Sequence, residues 1–105
     1  MMIARWQFQT KFGYKSEAIK SLNKWFEKVG SKIGWSPDKV RINSGSLGVS
    51  ESLVEAEILI QDLNELNVSW DKLAENKEHK KWGKEFEKYI VSGTPKWTIY
   101  RVLSG

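Results

Sequence analysis

The sequence predicts an α+β domain: a four-stranded antiparallel sheet with helices on one face, in the order strand–helix–strand–strand–helix–strand. Three observations lead there. Residues 3–12, 53–61 and 96–103 have the period-two or short apolar pattern of strands. Residues 16–33 and 70–91 carry large apolar side chains at helical spacing instead. At 105 residues the chain is expected to form one domain, spanning 1–105.

The first strand, IARWQFQTKF, alternates cleanly. Ala4, Trp6, Phe8, Thr10 and Phe12 point one way, and Ile3, Arg5, Gln7, Gln9 and Lys11 the other. Its aromatic face is expected to meet helices, which makes it a central strand. A turn on Gly13 follows. Ser16 is placed to cap a helix with Glu17 in its first turn. Ile19, Leu22, Phe26, Val29 and Ile33 form one helical stripe, widened by Trp25. Gly34 is a C-terminal cap, and Pro37 bars continuation.

In residues 39–49, Val40 and Ile42 alternate with Arg41 and Asn43, and the glycines and serines after them predict a bent strand end or a wide hairpin. Gly45 and Gly48 lack the longer glycine fingerprint of a phosphate loop. In residues 53–61, Val54, Ala56, Ile58 and Ile60 face the core, with Glu55, Glu57 and Leu59 opposite. Residues 62–66 read as a turn or a short helical segment. Ser69 is placed to cap a helix with Trp70, Leu73 and Ala74, which breaks near Asn76. A second helix is expected from 77 to 91, with Trp82, Phe86, Tyr89 and Ile90 on its apolar side, closed by Gly93 and Pro95. The last strand has large apolar groups on both faces, Trp97 and Ile99 against Tyr100 and Val102.

Crossover handedness then puts both helices on one side of the sheet, with the first and third strands adjacent in its middle. This is the ferredoxin-like βαββαβ pattern. A domain of this size buries roughly 65% of the surface its unfolded chain exposes. That predicts one core and no large internal cavity, so a sizeable pocket is expected to need a second subunit or to lie on the surface.

Composition excludes several chemistries. Without cysteine there is no disulfide, thiolate nucleophile or Cys-based metal site, and the single histidine, His79, cannot build a multi-histidine site in one chain. No metal and no cofactor is assigned. The longest aliphatic run, Ile58 to Ile60, is too short for a membrane span. The chain opens straight into a strand with no signal segment, so a cytoplasmic protein is expected. The formal net charge is +4, but its lysines are interleaved with acids at helical spacing, which reads as solvated helix faces.

Residues 70–89, WDKLAENKEHKKWGKEFEKY, have a hydrophobic start, a short polar break and a tryptophan on the next turn. This resembles the broken second helix of the dimeric α+β barrel superfamily, which includes NIPSNAP-like, antibiotic-biosynthesis-monooxygenase-like and haem-degrading proteins. The length and element order of nearly the whole chain are similar as well. The resemblance implies a homodimer whose open sheet faces pack into a barrel. It also implies a ligand cavity between each sheet and its helices or at the interface, and monooxygenase-like activity by analogy. Haem-degrading members pair a polar residue of the first strand with a Trp and a His on the broken helix. Gln7, Trp70 and His79 stand at those places, with Gln7 where an Asn is usual and His79 nearer the start of its segment than the pattern wants.

The candidate ligand-binding residues are therefore Arg5, Gln7, Gln9, Glu55 and Glu57 on the polar sheet face, with Tyr100 and Trp82 as walls, and His79. The plainer reading pairs Arg5 with Glu57 across adjacent strands and leaves His79 in solvent among lysines and glutamates. Three functions follow: a homodimeric small-molecule site, a non-catalytic structural or regulatory dimer, and RNA binding. Nucleic acid is not expected. Trp6 and Phe8 fall on the helix face, and Glu55 and Glu57 would repel phosphates where an RNA-recognition sheet stacks bases.

Overall fold

The structure is a computed structural model that describes residues 1–105. The strands are β1 (Met2–Gln9), β2 (Val40–Ser44), β3 (Leu53–Ile60) and β4 (Lys96–Arg101), and the helices are α1 (Lys15–Lys28), α2 (Leu63–Glu75) and α3 (Lys77–Phe86). The sheet is antiparallel in the order β2-β3-β1-β4, with the first and third strands central as the crossover rule requires.

Register decides which side chains share a face. Trp6 lies opposite Ala56 on one side and Trp97 on the other, and Ala56 faces Ile42. This row floors the helix side of the sheet. One residue along, Arg5 lies between Glu57 and Thr98, and Glu57 faces Arg41. That row belongs to the open side, which no helix covers. Two core clusters sit between sheet and helices. One is centred on Ala4, Trp25, Trp35, Ile58 and Leu66, the other on Phe8, Leu22, Val54, Ala56 and Phe86. Phe26 and Trp82 pack against both clusters and bridge the seam between them.

Several element ends differ from the sequence expectation. Phe12 lies beyond β1 and is fully exposed, because pairing ends at an isolated bridge from Thr10 to Ile90. Helix α1 starts at Lys15 with no side-chain cap, so Ser16 lies inside it, and it ends at Lys28. The stripe residue Ile33 instead belongs to a 3-10 turn, Gly30–Ile33, closed by Gly34 at φ 96°. A Cβ on Gly30 would stand 2.8 Å from the Phe26 ring, so a side chain there would force that ring to shift where the turn folds back onto α1. Helix α2 is longer than expected: Asp62 caps it, accepting from the Glu65 N–H. Ser69 is buried within α2 and donates to the Ile33 carbonyl, tying α2 to the 3-10 turn. The second segment of the broken helix ends at Phe86, followed by a 3-10 turn, Glu87–Tyr89.

The break itself is at Asn76. Its N–H donates to the Leu73 carbonyl, closing α2, while its side-chain oxygen accepts from the His79 N–H at 2.9 Å, opening α3. One residue thus ends one helix and starts the next. No helix is long and apolar enough to cross a membrane.

Replacing this cap has a measurable consequence. Asn76→Ala is expected to lower stability by about 1 kcal/mol and Asn76→Asp to restore most of it, read as urea midpoints. Equal midpoints for Asn76→Ala and the parent chain would show that the cap does not hold the break.

Candidate functional site

Between the sheet floor and the helices lies a cavity of about 460 Å³. All six tryptophans of the chain line it. Trp6 and Trp97 rise from β1 and β4, Trp25 comes from α1, Trp35 from the loop before β2, and Trp70 and Trp82 from α2 and α3. Ala56 and Ile58 of β3 complete the floor. The space occupies the seam between the two core clusters, where Ala56 is too small to fill the volume above it. Trp6, Trp70, Trp82 and Trp97 stay only partly buried even though they face this interior. The cavity reaches the surface at Ala74 and Lys80, both exposed. The space opens to the surface, as expected of a sizeable pocket in so short a chain, and one chain forms it without a second subunit. Wide rings at the seam prop the two layers apart instead of closing them.

The rings form a continuous wall. Trp25 lies 5.6 Å from Trp82 and 5.8 Å from Trp35 between centroids, Trp35 6.3 Å from Trp97, and Trp97 5.4 Å from Trp70. Trp82 stacks on Phe86 at 4.4 Å and lies 6.1 Å from His79. Such offset and edge contacts favour a stiff arrangement.

Two indole N–H groups are spoken for. Trp82 Nε1 donates to Ser21 Oγ at 2.8 Å, and Trp25 Nε1 donates to His79 Nδ1 at 3.1 Å. The second bond fixes the imidazole. Indole is a donor only, so Nδ1 must carry the lone pair and Nε2 the proton. Burial pushes the His79 pKa down, in keeping with a neutral ring. His79 is thus a half-buried wall residue and not the solvent-facing side chain expected from its charged neighbours in sequence. Trp35 differs from both: the residue is 2% exposed, and its buried Nε1 has no acceptor. An orphaned buried donor costs about 1–3 kcal/mol.

The other candidates lie elsewhere. Arg5, Gln7, Gln9, Glu55, Glu57 and Tyr100 stand on the open side of the sheet, and none of them lines the cavity. The structure brings only His79 and Trp82 of the candidate set together there. The trio of Gln7, Trp70 and His79 is likewise divided, because Gln7 faces the other side of the sheet.

The open-face groups satisfy one another. Glu57, buried at 5% exposure, accepts from Arg5 Nη2 at 3.0 Å and from Arg41 Nε at 2.9 Å. Burial alone would raise its pKa, but hydrogen bonds and charge from Arg41 and Arg5 outweigh this and hold it below the usual carboxylate range. Glu55 accepts from Gln7 and Asn43, each at 2.9 Å. The Arg5 guanidinium lies 4.9 Å from the Tyr100 ring centre. Gln9 accepts from Ser52 and its N–H donates to Thr94.

Sequence reasoning missed Trp6, Trp25, Trp35 and Trp97 as site residues, reading Trp6, Trp25 and Trp97 as core or strand-face side chains and giving Trp35 no role. The legible signal was tryptophan count: six in 105 residues, one or more from nearly every element packed on one side of the sheet. No group of His, Cys, Asp and Glu side chains is placed to hold a metal ion.

The neutral state of His79 predicts a pH dependence. The folded chain resists protonation at His79 while the unfolded chain takes up a proton near pH 6.5, so stability falls as pH drops below that value. Protonation would also set an Nδ1–H against the Trp25 N–H and break their bond. His79 is the only histidine, so His79→Asn is expected to flatten the slope of unfolding free energy between about pH 7 and about pH 5.5. The same slope in both proteins would refute the assignment.

Comparison with solved structures places the fold. The chain superposes on a NIPSNAP family protein from Agrobacterium tumefaciens with a TM-score of 0.73 at 15% identity, covering 99% of this chain and 88% of that one. A putative antibiotic biosynthesis monooxygenase from Nitrosomonas europaea gives 0.67 at 10% identity, covering 99% and 100%. A dimeric protein of unknown function and ferredoxin-like fold from Bacteroides fragilis gives 0.63 at 15%, covering 96% of each chain. These are the groups named by the sequence resemblance, and at such identities the likeness shows the fold alone. No protein-family model and no curated protein matches the sequence.

Proposed function

We propose that this chain is a small-molecule-binding protein whose cavity takes a flat, mainly apolar ligand between its tryptophan walls. One observation carries the reading: all six tryptophans converge on one space of about 460 Å³. That volume lies within the roughly 300–1,000 Å³ of small-molecule pockets. The partly exposed rings lining it are surface that a bound arene would take from water. The reading does not involve the open-face carboxylates, which are occupied by their own arginine and amide partners.

Fluorene, a flat tricycle without polar atoms, tests this. Equilibrium dialysis is expected to show saturable retention of one fluorene per chain. Ala74→Trp, which places an indole at the cavity mouth, is expected to weaken retention about tenfold or more with an unchanged circular dichroism spectrum. Equal retention by Ala74→Trp would place the fluorene outside the cavity.

The chain acts as a homodimer in this reading. Supporting it are a sheet face that no helix covers, with Tyr100 exposed on it, and a dimeric protein of like fold among the similar structures. Light scattering is expected to give about twice the chain mass at every concentration tested. A clean monomer would leave the open face in water and remove the dimer from the proposal. Monooxygenase-like turnover of the ligand is a second reading. It is favoured by the antibiotic biosynthesis monooxygenase of similar fold, and fold alone does not bring chemistry with it. The alternative of a non-catalytic structural or regulatory dimer would gain if no arene were retained.

A further inference from the structure

We infer that the cavity selects by hydrogen-bond polarity, taking flat apolar ligands whose polar atoms are acceptors, as in an aryl ketone, and rejecting those that carry N–H or O–H donors. The inference rests on the proposal that this cavity binds a flat apolar molecule, and it adds which polar atoms that molecule bears.

Its basis is the inventory of the wall. Among the fourteen lining residues there is no Asp, Glu, Asn, Gln, Ser, Thr or Tyr. The polar side chains are His79, Lys80 and the indoles. Ammonium and indole groups donate only. The imidazole has one acceptor nitrogen, and Trp25 already occupies it. Its remaining nitrogen, Nε2, bears a proton and is a donor. The side chains of the wall therefore offer donors and no free acceptor.

One indole N–H of the wall is both buried and without a partner. Trp35 Nε1 is buried, its residue is 2% exposed, and no protein atom accepts from it. Buried polar groups are nearly always paired, so such an orphan calls for a partner from outside the chain. A ligand carbonyl oxygen supplies an acceptor once the Trp35 ring turns its N–H toward the cavity that it lines, and it adds little bulk to a flat ring system. A ligand N–H entering the same space would lose its bond to water and find no side-chain acceptor to replace it. Discrimination of this kind is strong because the unpaired group is penalised whichever molecule carries it.

The test uses two tricycles of nearly the same shape, 9-fluorenone and carbazole. The first presents a carbonyl acceptor, and the second an N–H donor. Each is dialysed against the intact protein, with fluorene alongside. Fluorenone is expected to bind about tenfold or more tightly than carbazole. Trp35→Phe keeps an apolar ring but removes the N–H, and is expected to shrink that ratio while fluorene retention persists. Fluorene retained with carbazole equal to or tighter than fluorenone overturns the polarity rule and leaves the cavity proposal standing. A ratio unchanged in a Trp35→Phe protein that still retains fluorene overturns it as well. No retention of any of the three overturns both readings together.

Discussion

The hydrogen bond from the Trp25 indole to His79 Nδ1 is the contact on which the site depends. It joins α1 to α3 across the helix layer. It sets the orientation and the tautomer of the only imidazole in the chain. It also holds His79 beside Trp82, which in turn stacks on Phe86 of the second core cluster. The bond depends on Asn76, because the break there turns the chain so that α3 begins with His79 in its first turn. A single unbroken helix would carry residues 77–86 on along the axis of α2.

The sheet separates two environments with opposite chemistry. On the helix side, wide rings meet a floor containing Ala56, and the mismatch in size leaves a space that opens at Ala74 and Lys80. On the other side, charged and amide groups are paired across neighbouring strands and closed on themselves. Glu57 between two arginines is the centre of that network. Both depend on register, since a slip of one residue would exchange Trp6 with Arg5 or Gln7 and bring each set to the other face.

The αL turn at Gly34 and the buried Ser69 tie the helix side together. Gly30–Ile33 folds back against α1, and Ser69 of α2 donates to the Ile33 carbonyl. The loop that follows carries Trp35, whose buried indole N–H has no acceptor. The chain thus places its one orphaned buried ring donor in a segment held by contacts to both α1 and α2.

The sequence by itself determined the strands, their faces and their order. Alternation assigned Ala4, Trp6 and Phe8 to one side and Arg5, Gln7 and Gln9 to the other, and the pleat enforces that division locally. It determined the break near Asn76 for the same reason, because a cap acts within a few residues. Only the tertiary structure decided that six tryptophans from separate elements meet around one space, and that His79 lies among them and not with the lysines beside it in the chain. Charged neighbours at 77, 78, 80 and 81 report the exposed face of α3, whereas the direction of His79 follows from how α3 packs against α1. Helix-end details also went to packing: α1 starts at Lys15 without a side-chain cap, and α2 starts after Asp62, well before Ser69, whose hydroxyl is instead used on the Ile33 carbonyl. Whether a large side chain fills a core or lines a gap depends on the size of what lies opposite. Ala56 beneath the rings is fixed by strand pairing over fifty residues of chain separation, and local pattern does not reach that far.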